Sequence, residues 1–297
     1  MSVEVRIKQK GIIKKKLDLT LIKEICEKYE LSFGVMNEAM TLNYYTGGND
    51  IKEVYFTLYN PKRIGRGFDL MVEKNLFDCY MRVTTPSTNE DIATFYSVVK
   101  YISDILHAAT YEKDDSEILK VSDITEEEEF ITKWNAGQLL DMVSKNQNLT
   151  LFGAIYPISL EPEIVQQWIH MDRIFLMTEF ADYLHEKQDA DYYYARALLF
   201  KNKEEEIFGT YAITEGVETV FPLTPRVSVV LGIELKDVSY WRVSIGKIVG
   251  DGYETAGNMD FAEFAEKYQL DKKPHFDYTN VIINLTSEDI DNLLTKR

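Results

Sequence analysis

Residues 51–106 read IKEVYFTLYNPKRIGRGFDLMVEKNLFDCYMRVTTPSTNEDIATFYSVVKYISDIL, and the change of period inside this stretch decides the fold class. Residues 51–60 and 67–84 are runs of strand-forming side chains, the second (DLMV, then DCYMRV) interrupted at Lys74-Asn75. Gly, Asn and Pro mark the connections, so the reading is antiparallel strands joined by hairpins. After this the spacing lengthens: Ile92, Phe95, Tyr96, Val99, Ile102 and Leu106 recur at helical intervals. Residues Pro86 to Asn89 offer caps, and Glu90 and Asp91 suit the positive end of a helix dipole. The helix is expected to cover the sheet.

Upstream, Val3, Val5 and Ile7 alternate with Glu4, Arg6 and Lys8, the period of a half-buried strand, and Gly11 permits a turn toward Ile12 and Ile13. From Thr20, a candidate cap, Leu21, Ile22, Ile25, Cys26 and Tyr29 follow helical spacing, which buries Cys26. Downstream, 149–156 (LTLFGAIY) reads as a strand, and Pro162 opens a helix expected to run to about Lys187. With Ile164, Trp168, Met171 and Phe175 it is the most apolar helix of the chain and the expected centre of the core. Residues 192–200 and 206–214, around Asn202-Lys203, form a hairpin. Further strands are expected at 227–235, 240–249 and 280–285. Phe261, Phe264, Ala265 and Tyr268 mark a short amphipathic helix, and Thr286 with Asp289 caps a last one through Leu294. Strand runs broken by segregated helices give an α+β fold with mixed, largely antiparallel sheets in two subdomains. Residues 110–129 hold nine acids and two lysines. They read as a solvated connection between an N-terminal subdomain (1–109) and a C-terminal one (130–297).

Composition narrows the function classes. The 297 residues carry 33 Lys and Arg against 49 Asp and Glu, a formal charge of −16 that repels phosphate backbones and anionic lipid. General nucleic-acid binding and membrane association are therefore not expected, and a basic protein is the electrostatically favoured partner. The charge is uneven, since residues 1–16 hold six basic side chains and one acid. Two cysteines cannot form a disulfide framework, and neither a secretory leader nor an 18-residue apolar run is present, so the expected location is the cytoplasm.

The segments Gly65-Arg66-Gly67-Phe68, PSTNEDIATFY (86–96), and Gly209-Thr210-Tyr211 leading to Val220-Phe221-Pro222 resemble an uncharacterised family. Its members are roughly 300-residue cytoplasmic proteins of Gram-positive bacteria, catalogued as a domain of unknown function. The resemblance spans nearly the whole chain and implies a bacterial origin. It carries no activity, ligand or catalytic residue.

No phosphate loop, dinucleotide fingerprint, nucleophile elbow or zinc-peptidase pattern is present, so no cofactor is expected. Two constellations remain. Lys62, Arg63 and Arg66 surround Gly65 and Gly67, whose backbone amides could approach an anion, against the plainer reading of a charged hairpin loop. On the helix after Pro162, Asp172, Glu179, Asp182, Glu186 and Asp189 fall within about 100° of one another, with His185 at the edge. Asp182, His185 and Asp189 are candidate metal ligands, against the plainer reading of a solvated face. His170, opposite that stripe, is expected in the core. The resulting expectation is a non-catalytic interaction module with acidic faces for a basic partner. The alternatives are a small-molecule enzyme that joins the 60–67 loop to the groups near 182–189, and a structural homo-oligomer.

Overall fold

In a computed structural model, the described residues are 1–10, 14–49, 51–114, 116–145, 149–227, 232–250 and 252–295. They fold as α+β and divide into two compact units, Met1–Asp189 and Ala190–Arg297.

The first unit is built on eight strands: β1 (Ser2–Ile7), β2 (Ser32–Met36), β3 (Leu42–Asn43), β4 (Tyr55–Tyr59), β5 (Phe68–Val72), β6 (Cys79–Thr84), β7 (Thr110–Lys113) and β8 (Glu117–Lys120). Their order is β3-β2-β4-β5-β6-β1-β7-β8, with every pairing antiparallel. Val3, Val5 and Ile7 turn to the core, as the alternation requires. Helix α1 (Leu19–Tyr29) is capped by Asp18, which accepts from the Thr20 amide, and buries Ile22, Ile25 and Cys26. Helix α2 (Asn89–Ile105) starts in a capping box made by Thr88 and Asp91 and lays Ile92, Phe95, Tyr96, Val99 and Ile102 into the core, packing on β1 and β6. The turn expected at Gly11 to Ile13 lies outside the described residues.

The acidic stretch 110–129, expected as a connection, is part of this unit. It supplies β7, which pairs with β1, as well as β8 and the first turns of α3 (Ile124–Lys145). Two of its acids pair with lysines at close range: Glu112 lies 2.7 Å from Lys8, and the Glu127 carboxylate accepts from the Lys113 ammonium at 2.6 Å. The unit boundary falls at Asp189/Ala190 instead.

A second cluster of apolar side chains joins α3 to α4 (Pro162–Ile169), α5 (Arg173–Gln188) and the hairpin of β9 (Thr150–Phe152) and β10 (Pro157–Ser159). Here the structure corrects three expectations. The strand over 149–156 is only β9, because Gly153 to Tyr156 turn the chain back into β10. The helix after Pro162 is two helices: Asp172 accepts from the Ile174 amide and starts α5 afresh, since a short carboxylate competes for backbone N–H groups. The break resets the helical phase, so His170 and Phe175, expected in the core, are exposed. Trp168, Phe180 and Leu184 remain in it.

The second unit has two sheets. β11 (Tyr193–Tyr194), β14 (Thr219–Pro222) and β17 (Asn280–Ile283) form one, in the order β11-β14-β17. β12 (Ala197–Lys201), β13 (Ile207–Thr214), β15 (Val238–Val249) and β16 (Gly252–Asp260) form the other, in which β13 and β15 run parallel. The hairpin expected around Asn202 is β12–β13. Of the strand expected at 227–235, residues 228–231 lie outside the described set; the remainder is not strand, and Leu235–Asp237 is a 3-10 turn. Helices α6 (Phe261–Tyr268) and α7 (Ser287–Leu294) pack on β15 and β16, and Tyr211, Phe221, Phe261 and Phe264 form an aromatic core.

Trp241 of β15 lies flat against Gly209 of its parallel neighbour β13, and its ring stacks on Tyr211 at 5.6 Å. A Cβ at position 209 would fall inside the Trp241 ring, so Gly209→Ala is expected to destabilise the second unit by about 1–3 kcal/mol. A lowered urea midpoint at unchanged slope would register this.

Candidate functional site

The two constellations read from sequence meet in the first unit. The loop 60–67 joins β4 to β5 and reaches the C-terminal turns of α5: Arg63 forms an ion pair with Asp182, and the Ile64 amide donates to His185 Nδ1 at 3.2 Å. The other ring nitrogen, Nε2, lies 3.9 Å from Asp189 Oδ2. Gln188 completes the junction by donating to the Gly65 and Leu184 carbonyls, while its Oε1 accepts from the Ile155 amide at 2.8 Å.

The backbone amides of the loop are taken by a side chain of the same protein. Asp91, 5% exposed in the first turn of α2, accepts from the Arg66 amide at 2.9 Å and the Gly67 amide at 3.1 Å. It also accepts from Ser87 Oγ at 2.8 Å and the Thr88 amide at 3.3 Å. Gly65 is required by close approach, because a Cβ there would overlap the Asp91 carboxylate. Asn135 of α3 ties in the same corner, exchanging hydrogen bonds with the Ser87 backbone at 2.9 and 2.8 Å.

The three basic side chains are distributed differently from one another. Arg66 is buried and donates to the Phe152 carbonyl at 2.8 Å and the Pro86 carbonyl at 2.5 Å. Burial pulls its guanidinium down to about 10, against the opposing pull of Asp91 and Asp69. Lys62 is exposed and pairs with Glu30 at 2.6 Å. Arg63 is half-buried on Asp182. Each cationic group thus has an intramolecular acceptor, and exposed pairs of this kind contribute about 0–1 kcal/mol.

For the candidate ligands Asp182, His185 and Asp189, the structure shows His185 turned to the Ile64 amide and Asp182 turned to Arg63. Among the described residues, no three His, Cys, Asp or Glu side chains are grouped as a metal site requires. Nor does any hydroxyl or thiol among them hydrogen-bond to His185. Both cysteines are buried, and burial pushes the Cys26 thiol up to about 12, which removes thiolate character near neutrality.

Sequence reasoning missed one surface feature. On α5, Phe175 is 70% exposed and, by the 3.6-residue period, stands in one stripe with Glu179, Asp182 and Glu186; Ile174 beside it is 78% exposed. Glu179 and Glu186 are exposed, and neither makes an ion pair among the described residues. The Asp172 cap is the signal that would have revealed it, because it fixes the phase of α5 independently of α4.

The class so defined is a two-unit α+β protein whose polar junction is internally satisfied and whose first unit carries an acidic helix face with exposed apolar side chains. The chain belongs to the DUF4299 family, a domain of unknown function, whose model matches residues 2–293. No curated protein and no solved structure matches it. Among the described residues, no helix is long and apolar enough to cross a membrane.

Proposed function

We propose that the protein is a cytoplasmic, non-catalytic interaction module that presents the acidic face of α5 to a basic protein. The observation that carries this reading is the exposed Phe175 set among Glu179, Asp182 and Glu186. Exposed aromatic side chains are the usual anchors of protein interfaces, and surrounding charge of one sign steers a partner of the other. The −16 charge of the whole chain acts in the same direction at long range.

Affinity capture from bacterial lysate tests it. A basic protein should be retained at low salt and released at high salt, because ion pairs at an interface rim are screened within about 8–10 Å. Phe175→Ala should weaken retention by about 2 kcal/mol, and the double charge reversal Glu179→Lys, Glu186→Lys should abolish it. Retention that ignores salt and both variants would remove the proposal.

The enzyme reading has one observation in its favour, the meeting of the 60–67 loop with His185. It is the weaker reading because Lys62, Arg63 and Arg66 are already engaged by Glu30, Asp182 and two backbone carbonyls.

A further inference from the structure

The outward side of the four-stranded sheet in the second unit carries a group that the interaction reading leaves unused. Along β13 and β15, Tyr211, Trp241 and Val243 face the core, so Phe208, Tyr240 and Arg242 share the opposite side. Phe200 of β12, Phe208 of β13 and Tyr240 of β15 stack across the strands, with centroids 5.6 and 5.1 Å apart and ring planes within 28° and 1° of parallel. The ends of this ladder are open: Phe200 is 47% and Tyr240 39% exposed.

Arg242 lies over it, its Cζ 4.3 Å from the Phe208 centroid and 5.8 Å from that of Tyr240. In a chain with sixteen surplus negative charges, this guanidinium makes no ion pair among the described residues, and its Nε is buried without a hydrogen-bond acceptor. The carboxylate placed opposite it in the strand register, Asp260, is occupied elsewhere, accepting from the Ala262 amide at 2.8 Å as the cap of α6. Buried donors without a partner are rare in folded proteins, and a planar fork already stacked on rings is preorganised for a phosphate or carboxylate.

We propose that this face binds a small anion carrying a flat aromatic ring, the chemistry of a mononucleotide, with the ring stacked on the aromatic ladder and the phosphate taken by Arg242. Tyr240 and Arg242 are two residues apart on one face, roughly 7 Å along the strand, a span that one such molecule bridges. Ring–ring stacking tolerates any base, so the site selects for a ring plus a charge and not for one sequence. A polynucleotide is disfavoured by the acidity of the chain.

Isothermal titration of the full chain with AMP, adenosine, inorganic phosphate and a short single-stranded oligonucleotide tests the assignment. AMP should bind saturably, with adenosine and phosphate each about tenfold weaker or more. Arg242→Met should weaken AMP about tenfold and erase its advantage over adenosine, whereas Tyr240→Leu should weaken AMP and adenosine alike by about tenfold. Phe200→Leu, at the exposed end of the ladder, gives an independent check if either of those chains fails to fold, and should also weaken AMP. No saturable AMP binding, AMP binding unchanged in the folded variants, or an oligonucleotide that binds more tightly than AMP would each overturn the proposal. Its failure leaves the α5 interface untouched, since the two sites share no residue.

Discussion

Replacing Asp91 by alanine is expected to cost the first unit about 3–5 kcal/mol. The carboxylate accepts from two loop amides, the Ser87 hydroxyl and the Thr88 amide, all in a buried corner. Its removal leaves those donors in low dielectric and takes a counter-charge from the buried Arg66 guanidinium. Asp91→Asn should fare little better, because half of the amide would present N–H groups to N–H groups. Thr88→Ala separates this role from ordinary helix capping. It removes the acceptor of the Asp91 amide and should cost only about 1 kcal/mol. Equal losses for Thr88→Ala and Asp91→Ala, read from urea denaturation, would mean that clamping the loop contributes nothing.

Alkaline unfolding is the second large effect. Burial raises the phenols of Tyr96 and Tyr111 in the first unit and of Tyr194 and Tyr211 in the second, with Tyr194 pushed up to about 12. The sign follows from proton counting. Below the ordinary phenol range near 10, folded and unfolded chains hold the same protons and stability is unaffected. Above it the unfolded chain releases protons that the folded chain keeps, so stability falls by up to about 1.4 kcal/mol per pH unit for each such phenol. For Tyr194 this loss runs between pH ~10 and ~12, and Tyr211 adds to it in the same direction. The phenolate absorbance of these buried tyrosines should therefore rise only together with loss of circular dichroism. Smooth ionisation of every tyrosine with the fold intact would contradict this.

Much of the fold is legible in the sequence where one local rule suffices. Thr88 and Asp91 announce the start of α2, and the alternation at Val3, Val5 and Ile7 announces β1. Readings failed where a distant partner decides. Residues 110–129 look like a solvated connection because their acids are visible and their cations are not. Lys8 of the segment following β1 sits beside Glu112 of β7, which pairs with β1, so part of the charge of the acidic stretch is matched by the basic N-terminus. β16 carries few apolar side chains, since all but one of its positions are open or half-open to solvent. The chemistry of the Gly65-Arg66-Gly67 loop was readable as amides held open for an anion. That the anion is Asp91, 25 residues from Arg66, was not, because periodicity carries no tertiary distances. The exposed Phe175 was hidden for a local reason: a continuous helix through Asp172 assigns it the wrong face.

The α5 face is the proposed docking site for a basic partner. Hydrogen–deuterium exchange of the chain, alone and with the captured partner bound, reads this directly. Docking on this face should slow exchange along Arg173–Gln188, an effect lost in parallel with binding when Phe175 is replaced by alanine. Protection confined to other elements, with α5 exchanging as in the free chain, would contradict it.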